Sequence, residues 1–542
     1  MHRWHFQRLL RWLIPVLIAL ILLSSMVARQ KARGVGLSFA SDEAYIHAAV
    51  AENFLSNVSY GVSEDGRMLA VQDVLWQLLL TVVGGVLSDP LSAACLIGAV
   101  CSIITLLLSL RMTRLLFPFP PFILYTAVLL VVTPGYLAGA FTGTPVALAA
   151  TLVTAACLFH TEGLAGRRNP LPMASAFLLG LAAMLRVEFF LVWLVFFLHA
   201  LLINLFPKKE RISWFYLLLR GVNGLLMIVL CLTPLFAWNY AVIHIPWPQT
   251  PGAPLTMDLF AMVSPGAAFS RVSGVALAAI PAAFGQLFHS PLLESAAIRL
   301  LVLGGALLIA VLAFSHEEEK SYSLIPCLIL LLPVLYAMVY PFTGWSSAPM
   351  VFSSLAPVLV MAATFFFFRL PFIIEAVYLK WKEGIPEANY FKFAWVVVGS
   401  LLLLICLWKT ETGIRRNLDR LTATKMSREC VTDYIRSDRL IEALIATDQP
   451  GWLAFECHVR PLDITGRAQP EALACLDENG RMNPGKLAEW VKGKKPKALM
   501  LWDPRISVFS SLLPSEVVRL SACSPKAAAL PGVWRITAFA AP

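Results

Sequence analysis

The sequence predicts a polytopic α-helical membrane protein of about eleven transmembrane helices with a C-terminal soluble α/β domain. Three observations predict it. Charged residues are 14 % of the 542-residue chain and hydrophobic ones 58 %, against roughly 25 % and 45–50 % in globular proteins. A water-soluble fold of this length lacks the interior to bury so much apolar surface, so lipid is the remaining solvent. Finally, the basic residues behind the net charge of +10 sit in short clusters between apolar runs. That arrangement orients a membrane protein and argues against a nucleic-acid partner.

Apolar stretches lie at 12–28, 91–110, 121–138, 145–160, 172–186, 188–206, 214–237, 297–315, 322–340, 349–370 and 392–408, near the length that crosses roughly 30 Å of hydrocarbon. The run 172–206 is split at 186–188, because about 34 residues in one helix would overshoot a bilayer. With the N-terminus in the cytoplasm, alternate loops are basic: Arg111 and Arg114; Arg167 and Arg168; Lys208, Lys209 and Arg211; Lys380 and Lys382. The opposite loops are nearly free of Lys and Arg, and the long one at 239–290 carries only Arg271. This pattern puts the C-terminal segment outside.

Two features run against it: the acidic loop 316–320, and Arg29, Lys31 and Arg33, which match the basic count before the first span. The first span starts like a signal peptide but has no small-residue cleavage site near Val27, so it is expected to remain as an anchor. The stretch 74–87 is short, and counting it as a span would invert every later basic loop. It reads as a helix lying in the outer interface, with Trp76 as anchor.

Residues 1–409 thus form the transmembrane module. Charges return in 410–542, where the pattern suggests a helix over Met426–Thr447, short strands at Trp452–Phe455, Ala498–Trp502 and Val533–Phe539, and a helix at Lys486–Val491. Of the ten cysteines, six fall in apolar spans and read as inert packing residues. Cys430, Cys457, Cys475 and Cys523 fall in the terminal domain, where an external location permits disulfides and the alternative is unpaired buried thiols.

The first outer loop carries the sharpest signal. Ser41-Asp42-Glu43-Ala44-Tyr45-Ile46-His47 opens a helix over about 42–56, with Ala44, Ala48, Ala51 and Leu55 forming an apolar stripe suited to the membrane surface. Taken alone, Asp42 and Glu43 read as ordinary helix-start chemistry. Their context resembles the GT-C superfamily of membrane glycosyltransferases, in its bacterial branch with an acidic pair before a Tyr-Ile helix. Ser41 through Leu55 is similar to that segment, and Asp73-Val74-Leu75-Trp76 to the Pro-Leu-Trp segment after it. Gly180–Glu188 resembles the family's Gly-Leu-Ala-x-x-x-Arg-Pro-Glu, with Val187 in place of proline. Trp238–Thr250, Tyr340–Pro357 and the terminal domain around Leu462–Gly466 and Lys495–Leu499 are similar more weakly. The late Gly-Arg-Tyr arginine has no counterpart at 340–357.

The resemblance implies an inverting glycosyltransferase that moves a sugar from a polyprenyl-phosphate donor to a glycan or lipid acceptor hydroxyl on the outer face of a bacterial inner membrane. The terminal domain would then be periplasmic or extracellular. It implies Asp42 as the general base, with Glu43 as the alternative. Arg186, and after it Arg271, would hold the donor phosphate, with Glu188, His47, Tyr45 and Asn239 supporting them or the acceptor. A divalent metal is possible in the family; Asp42 and His289, with Glu43 and His47, are the candidate ligands, although no ligand spacing in the sequence supports one. Glu64, Asp65 and Asp73 read as solvated outer-loop acids. Phe365–Phe368 surround a helix on all sides and read as packing. No nucleotide-phosphate loop is present. The competing classes are a transporter or flippase and a non-catalytic scaffold. Charges at span ends and the lack of an internal repeat argue against transport.

Overall fold

The computed structural model describes residues 2–34, 37–39, 41–57, 61–62, 73–117, 120–133, 136, 138–165, 171–205, 212–243, 265–288, 296–315, 323–343, 348–381, 388–437, 440–464, 472, 475, 483–501, 517–520 and 535–539. The helices in chain order are α1 (His2–Ala32), α2 (Asp42–Asn57), α3 (Val74–Leu87), α4 (Pro90–Leu116), α5 (Pro120–Val131), α6 (Val146–Ala165), α7 (Met173–Ala183), α8 (Phe190–Leu205), α9 (Trp214–Ile243), α10 (Pro265–Phe288), α11 (Ala296–Ser315), α12 (Leu324–Thr343), α13 (Ala348–Ser353), α14 (Ala356–Trp381) and α15 (Ala388–Ser437). By length and composition, Pro15–Ala32, Pro90–Leu116, Val146–Leu164, Val187–Leu205 and Trp214–Ala237 are long and apolar enough to cross a membrane. Shorter apolar helices cover 74–87, 122–131, 173–183, 273–287, 299–311, 324–340 and 356–369 among the described residues.

Small residues and hydroxyls hold the bundle together, as expected where lipid offers no hydrophobic drive between helices. Thr105 and Thr151 share a 2.8 Å hydroxyl contact between α4 and α6, and the Thr151 hydroxyl also donates to the Cys101 carbonyl at 2.9 Å. A Cβ on Gly305 would lie 2.0 Å from the Ala362 carbonyl oxygen, so α11 and α14 approach there because residue 305 has no side chain. The four phenylalanines pack as their arrangement suggests. Phe365 contacts Phe117 at 4.7 Å between centroids, and Phe367 stacks on Tyr125 at 5.3 Å.

The break expected at 186–188 is present. α7 ends at Ala183, Arg186 is extended (φ −148°, ψ 124°), and a single 3₁₀ turn leads into α8. Residues 239–290, read as a loop, contain α10. Its interrupted composition, with Arg271 and Pro281, hid it from a search for apolar runs. It packs through Ala279 and Ala283 on Ala337 of α12.

α1 and α15 run in the same direction where they leave the apolar region. Arg29 pairs with Glu411 at 2.7 Å, Arg33 with Asp419, the Gly34 carbonyl with Lys425 and the Phe39 carbonyl with Arg428. At 50 residues, α15 is about 75 Å long. It continues without a break through residue 409, where composition changes, and carries the chain well beyond its apolar half.

After α15 come β1 (Leu444–Thr447), α16 (Pro450–Cys457), β2 (Arg460–Asp463), α17 (Pro484–Lys494), β3 (Ala498–Leu501), β4 (Val517–Leu520) and β5 (Arg535–Phe539). They form one five-stranded sheet, order β2-β1-β3-β5-β4. β1 is parallel to β2 and β3, and β5 is antiparallel to β3 and β4. Of the expected strands at 498–502 and 533–539, the described residues 498–501 and 535–539 are strand, and the expected helix at 486–491 is present. Two other expectations are corrected. The helix from Met426 stops at Ser437, and Leu444–Thr447 is a strand because parallel partners on both sides take up its backbone groups. Trp452–Phe455 is helical: a short apolar run has no readable period, and Pro450 at the first helical position starts a helix. Cys457 and Cys475 are free buried thiols, so neither forms the disulfide that an external domain allowed. Burial pushes the Cys457 thiol up to about 11. The side chains of Cys430 and Cys523 lie outside the described residues.

Gly305→Ala tests the closest helix approach. Overpacking against a backbone carbonyl is expected to cost about 1–3 kcal/mol, read as a lowered thermal unfolding midpoint of the detergent-solubilised protein. An unchanged midpoint would mean that α11 and α14 are not held at this distance.

Candidate active site

Helix α2 sends its two neighbouring acids in different directions, since successive residues of a helix diverge by about 100°. Asp42 does not cap α2. Ser41 does, its Oγ accepting from the Glu43 amide at 3.2 Å. Asp42 is only 3 % exposed, and its carboxylate accepts from the amides of Gly451 at 3.3 Å and Trp452 at 2.8 Å. Those are the second and third residues of α16, whose own N-cap Gln449 makes no side-chain cap bond. Asp42 therefore supplies in space the cap that α16 lacks in sequence. The approach is close: a Cβ on Gly451 would meet the Ile46 amide nitrogen at 2.3 Å.

Arg428 of α15 completes this contact. Its guanidinium lies 4.5 Å from the Tyr45 ring centroid and 5.3 Å from that of Trp452, and it donates to the Phe39 carbonyl at 2.9 Å. Burial pushes the Arg428 pKa down, against the pull of Asp42 and Glu456. Burial also raises the Tyr45 hydroxyl, with Arg428 opposing. Tyr45 thus serves as a protonated packing and hydrogen-bonding group, its oxygen accepting from the Phe39 amide at 3.2 Å.

The other face of α2 carries Glu43 and His47, one turn apart. Glu43 bonds Arg186 at 2.9 Å, and Arg186 also lies 3.5 Å from Asp73, the residue before α3. His47 Nε2 lies 3.4 Å from the same Asp73 carboxylate. Gln77 of α3 fixes the ring: its amide nitrogen donates to the His47 carbonyl at 3.0 Å, which turns its oxygen toward His47 Nδ1 at 3.2 Å. With Nδ1 as the donor, the neutral ring directs its Nε2 lone pair at a carboxylate, an arrangement completed by a proton or a metal ion. Asp73 is 2 % exposed and Glu43 is 38 % exposed at the side chain. Asp73, read from sequence as solvated, is thus a buried member of the site.

Glu43, His47 and Asp73 each offer a ligand atom within 4.8 Å of the others. His47 Nε2 and Asp73 Oδ1 make no hydrogen bond among the described residues. One imidazole and two carboxylates form a donor set that suits a divalent cation. Asp42, expected among the ligands, is turned away to α16. His289 lies outside the described residues, as do the side chains of Arg271 and Asn239.

Arg186 was expected at this edge and is there, with Glu188 buried close by. Desolvation works against its charge, yet Asp73, Glu43 and Glu188 together raise its pKa above the ordinary value. Three carboxylates around one buried guanidinium are costly to assemble, which makes the cluster the candidate site. The sequence reading missed Asp73, Gln77, Arg428 and Gly451. The signals it held were the spacing of Glu43 and His47, which places both on one helical face, and the likeness of Asp73–Trp76 to the segment that follows the acidic pair.

No protein-family model matches the chain, and no curated protein matches its sequence. Solved structures match its fold. ArnT from Cupriavidus metallidurans bound to undecaprenyl phosphate is similar with a TM-score of 0.56 at 12 % identity, over 97 % of this chain and 98 % of that one. The same protein in the apo state gives 0.52 at 12 %, over 96 % and 97 %. The archaeal oligosaccharyltransferase AglB from Archaeoglobus fulgidus, in complex with an inhibitory peptide and a dolichol-phosphate, gives 0.53 at 13 %, over 86 % of this chain. This chain spans 66 % of AglB, just under two thirds of its length. At these identities the likeness is one of fold, and it is the membrane fold that the first outer loop resembles.

Asp42→Ala is expected to loosen α16 from α2 at a cost of about 0.5–2 kcal/mol, the usual worth of a helix cap. Faster proteolytic cleavage within 440–464 in the folded protein would report it, with Asp42→Asn milder because it keeps one acceptor oxygen. Cleavage at the wild-type rate in Asp42→Ala would show that the cap does not hold the two helices together.

Proposed function

We propose that the chain is an inverting glycosyltransferase that moves a sugar from a polyprenyl-phosphate donor to the hydroxyl of a glycan or lipid acceptor. The observation that carries this reading is the Glu43–Arg186–Asp73–His47 cluster. It is drawn from three separate parts of the chain, within a fold shared with proteins solved with undecaprenyl phosphate and dolichol-phosphate.

The chemistry needs a base, a cation for the leaving phosphate and shielding from water. Glu43 is the better base, because Asp42 already spends both oxygens on α16. The acceptor oxygen attacks the anomeric carbon as its proton passes to the Glu43 carboxylate. The bond from that carbon to the phosphate oxygen breaks, and polyprenyl phosphate leaves with the electron pair. Attack opposite the leaving group inverts the centre. Arg186 is the phosphate partner; a planar fork of donors suits phosphate as it suits the carboxylate it holds here. Glu43, His47 and Asp73 would hold a divalent cation, which supplies charge stabilisation beside the phosphate when bound.

Eleven crossings fit the contacts. α4 to α7 make four passes between Pro90 and Arg186. The Glu43–Arg186 bond supports both ends of that segment lying on one face, with α3 in the interface. α1 and α15 leave in the same direction, which requires an odd total. The counts agree when α10 does not cross completely. The site and the sheet then share the outer face, where a lipid carrier can deliver a sugar.

Glu43→Gln is expected to lower release of polyprenyl phosphate from a purified lipid-linked sugar donor by about 10²–10⁴-fold, while Asp42→Asn retains turnover. Full activity in Glu43→Gln with loss in Asp42→Asn would return the base to Asp42.

For the cation, equilibrium dialysis of the purified protein with Mn²⁺ or Zn²⁺ should show one site that is weakened by His47→Gln and by Asp73→Asn. Equal uptake by wild type and both variants would remove the cation from this cluster.

A further inference from the structure

Arg29, Lys31 and Arg33 run against the charge pattern that orients the bundle, and the structure puts more cations beside them. On α1, Ile21 and Val27 are exposed apolar residues, and Arg29, half-buried, and Lys31 and Arg33, exposed, follow. α15 repeats the order alongside. Leu401, Leu404, Ile405, Leu407 and Trp408 are exposed, with Trp408 at 68 %. Lys409, Arg415, Arg416, Arg420 and Lys425 come next. The Arg29–Glu411 bond sets the two helices level. Exposed apolar surface therefore gives way to half-buried and then exposed charge at one height on both, with a tryptophan at the boundary, as at a lipid–water interface.

The acids nearby neutralise part of this charge. Glu411 serves Arg29 and Arg415, Asp419 serves Arg33, and Glu429 serves Lys425. Lys31, Lys409, Arg416 and Arg420 have no carboxylate partner among the described residues. Lys409, Arg416 and Arg420 follow helical spacing, which places them on one face of α15, away from Glu411 and α1. Arg416 and Arg420 are one turn apart, a like-charge placement that an isolated helix disfavours. Nothing in the folding of α15 requires this stripe.

We propose that the stripe Lys409–Arg416–Arg420, with Lys31, binds anionic phospholipid headgroups of the leaflet on the site face. The sign of the charge and its height select this occupant. Lys409 to Arg420 is a rise of about 16 Å along the helix, and the long side chain of Arg420 spans the last few ångströms back toward the bilayer. The headgroup layer is roughly 6 Å deep, and attraction persists for about 8 Å beyond it at physiological salt. Guanidinium forks suit headgroup phosphates. Such binding fixes the depth of α15, and with it the level of Arg428 and α2 above the bilayer. It is independent of the proposed transfer reaction.

The test is the association of spin-labelled phosphatidylglycerol and phosphatidylcholine with the full-length protein in vesicles. The wild type is expected to prefer the anionic lipid. The triple variant Lys409→Gln, Arg416→Gln, Arg420→Gln should reduce that preference at least about fivefold, the worth of one surface cation, while Lys409→Arg, Arg416→Lys, Arg420→Lys retains it. Added salt should weaken it, with inorganic phosphate acting no more strongly than chloride at equal ionic strength. No preference in the wild type, an unchanged preference in the glutamine variant, or specific displacement by inorganic phosphate would each overturn the proposal. Circular dichroism confirms that the glutamine variant is folded before it is compared.

Discussion

Helix α2 is gripped from two sides, and the site depends on that grip. A helix of 16 residues is marginal by itself in water. On one side Asp42 is bonded to the start of α16, Tyr45 lies under Arg428, and Gly451 lets the two backbones close up. On the other, Gly143 (φ +70°) sits where a Cβ would come within 2.5 Å of Ala44, so the bundle also meets α2 at contact distance. The consequence is angular. Once Asp42 is fixed toward α16, the geometry of the helix points Glu43 and His47 toward Asp73 and Arg186. The orientation of the site is thus set by a contact with residues more than four hundred positions away in sequence.

That distance explains what the sequence could and could not tell. The bundle was legible because lipid imposes length and composition on each span separately. The break at Arg186 was legible for the same reason, since one helix through 172–206 is too long for a bilayer. Start signals gave α2. The role of Asp42 was not legible: an acid at the first turn looks like a local cap, and only the fold reveals that Ser41 takes that place and frees Asp42 for α16. Asp73 looked solvated because its partners, His47 and Arg186, come from two other segments. Trp452–Phe455 was read as a strand because a short apolar run has no readable period, and the Asp42 that caps its helix lies elsewhere in the chain. These misses concern residues whose partners are remote, while α10 was hidden by its own composition, with Arg271 and Pro281 interrupting the apolar run.

The cations on the site face follow the same division. From sequence, Arg29 and Arg33 conflicted with the orientation of the bundle. In the structure both are paired with acids of α15, so the two helices that flank the transmembrane module meet through opposite charges. This accounts for much of the conflict. The pairing also carries the direction of α1 to α15, and so to α16, which packs on α2.

The proposed reaction meets one electrostatic difficulty, and the geometry suggests its resolution. A lipid phosphate adds negative charge to a cluster where Glu43, Asp73 and Glu188 already outnumber Arg186. The guanidinium cannot satisfy Glu43 and a phosphate equally. If it turns to the phosphate, Glu43 loses its partner, and a carboxylate without its counter-ion is a better proton acceptor. Donor binding and activation of the base then become one event, and the carboxylate stays masked while the site lacks donor. Asp73 cannot take the same role, because it is buried where Glu43 is half-exposed. The exposed end of the cluster is therefore the one to which an acceptor hydroxyl has access.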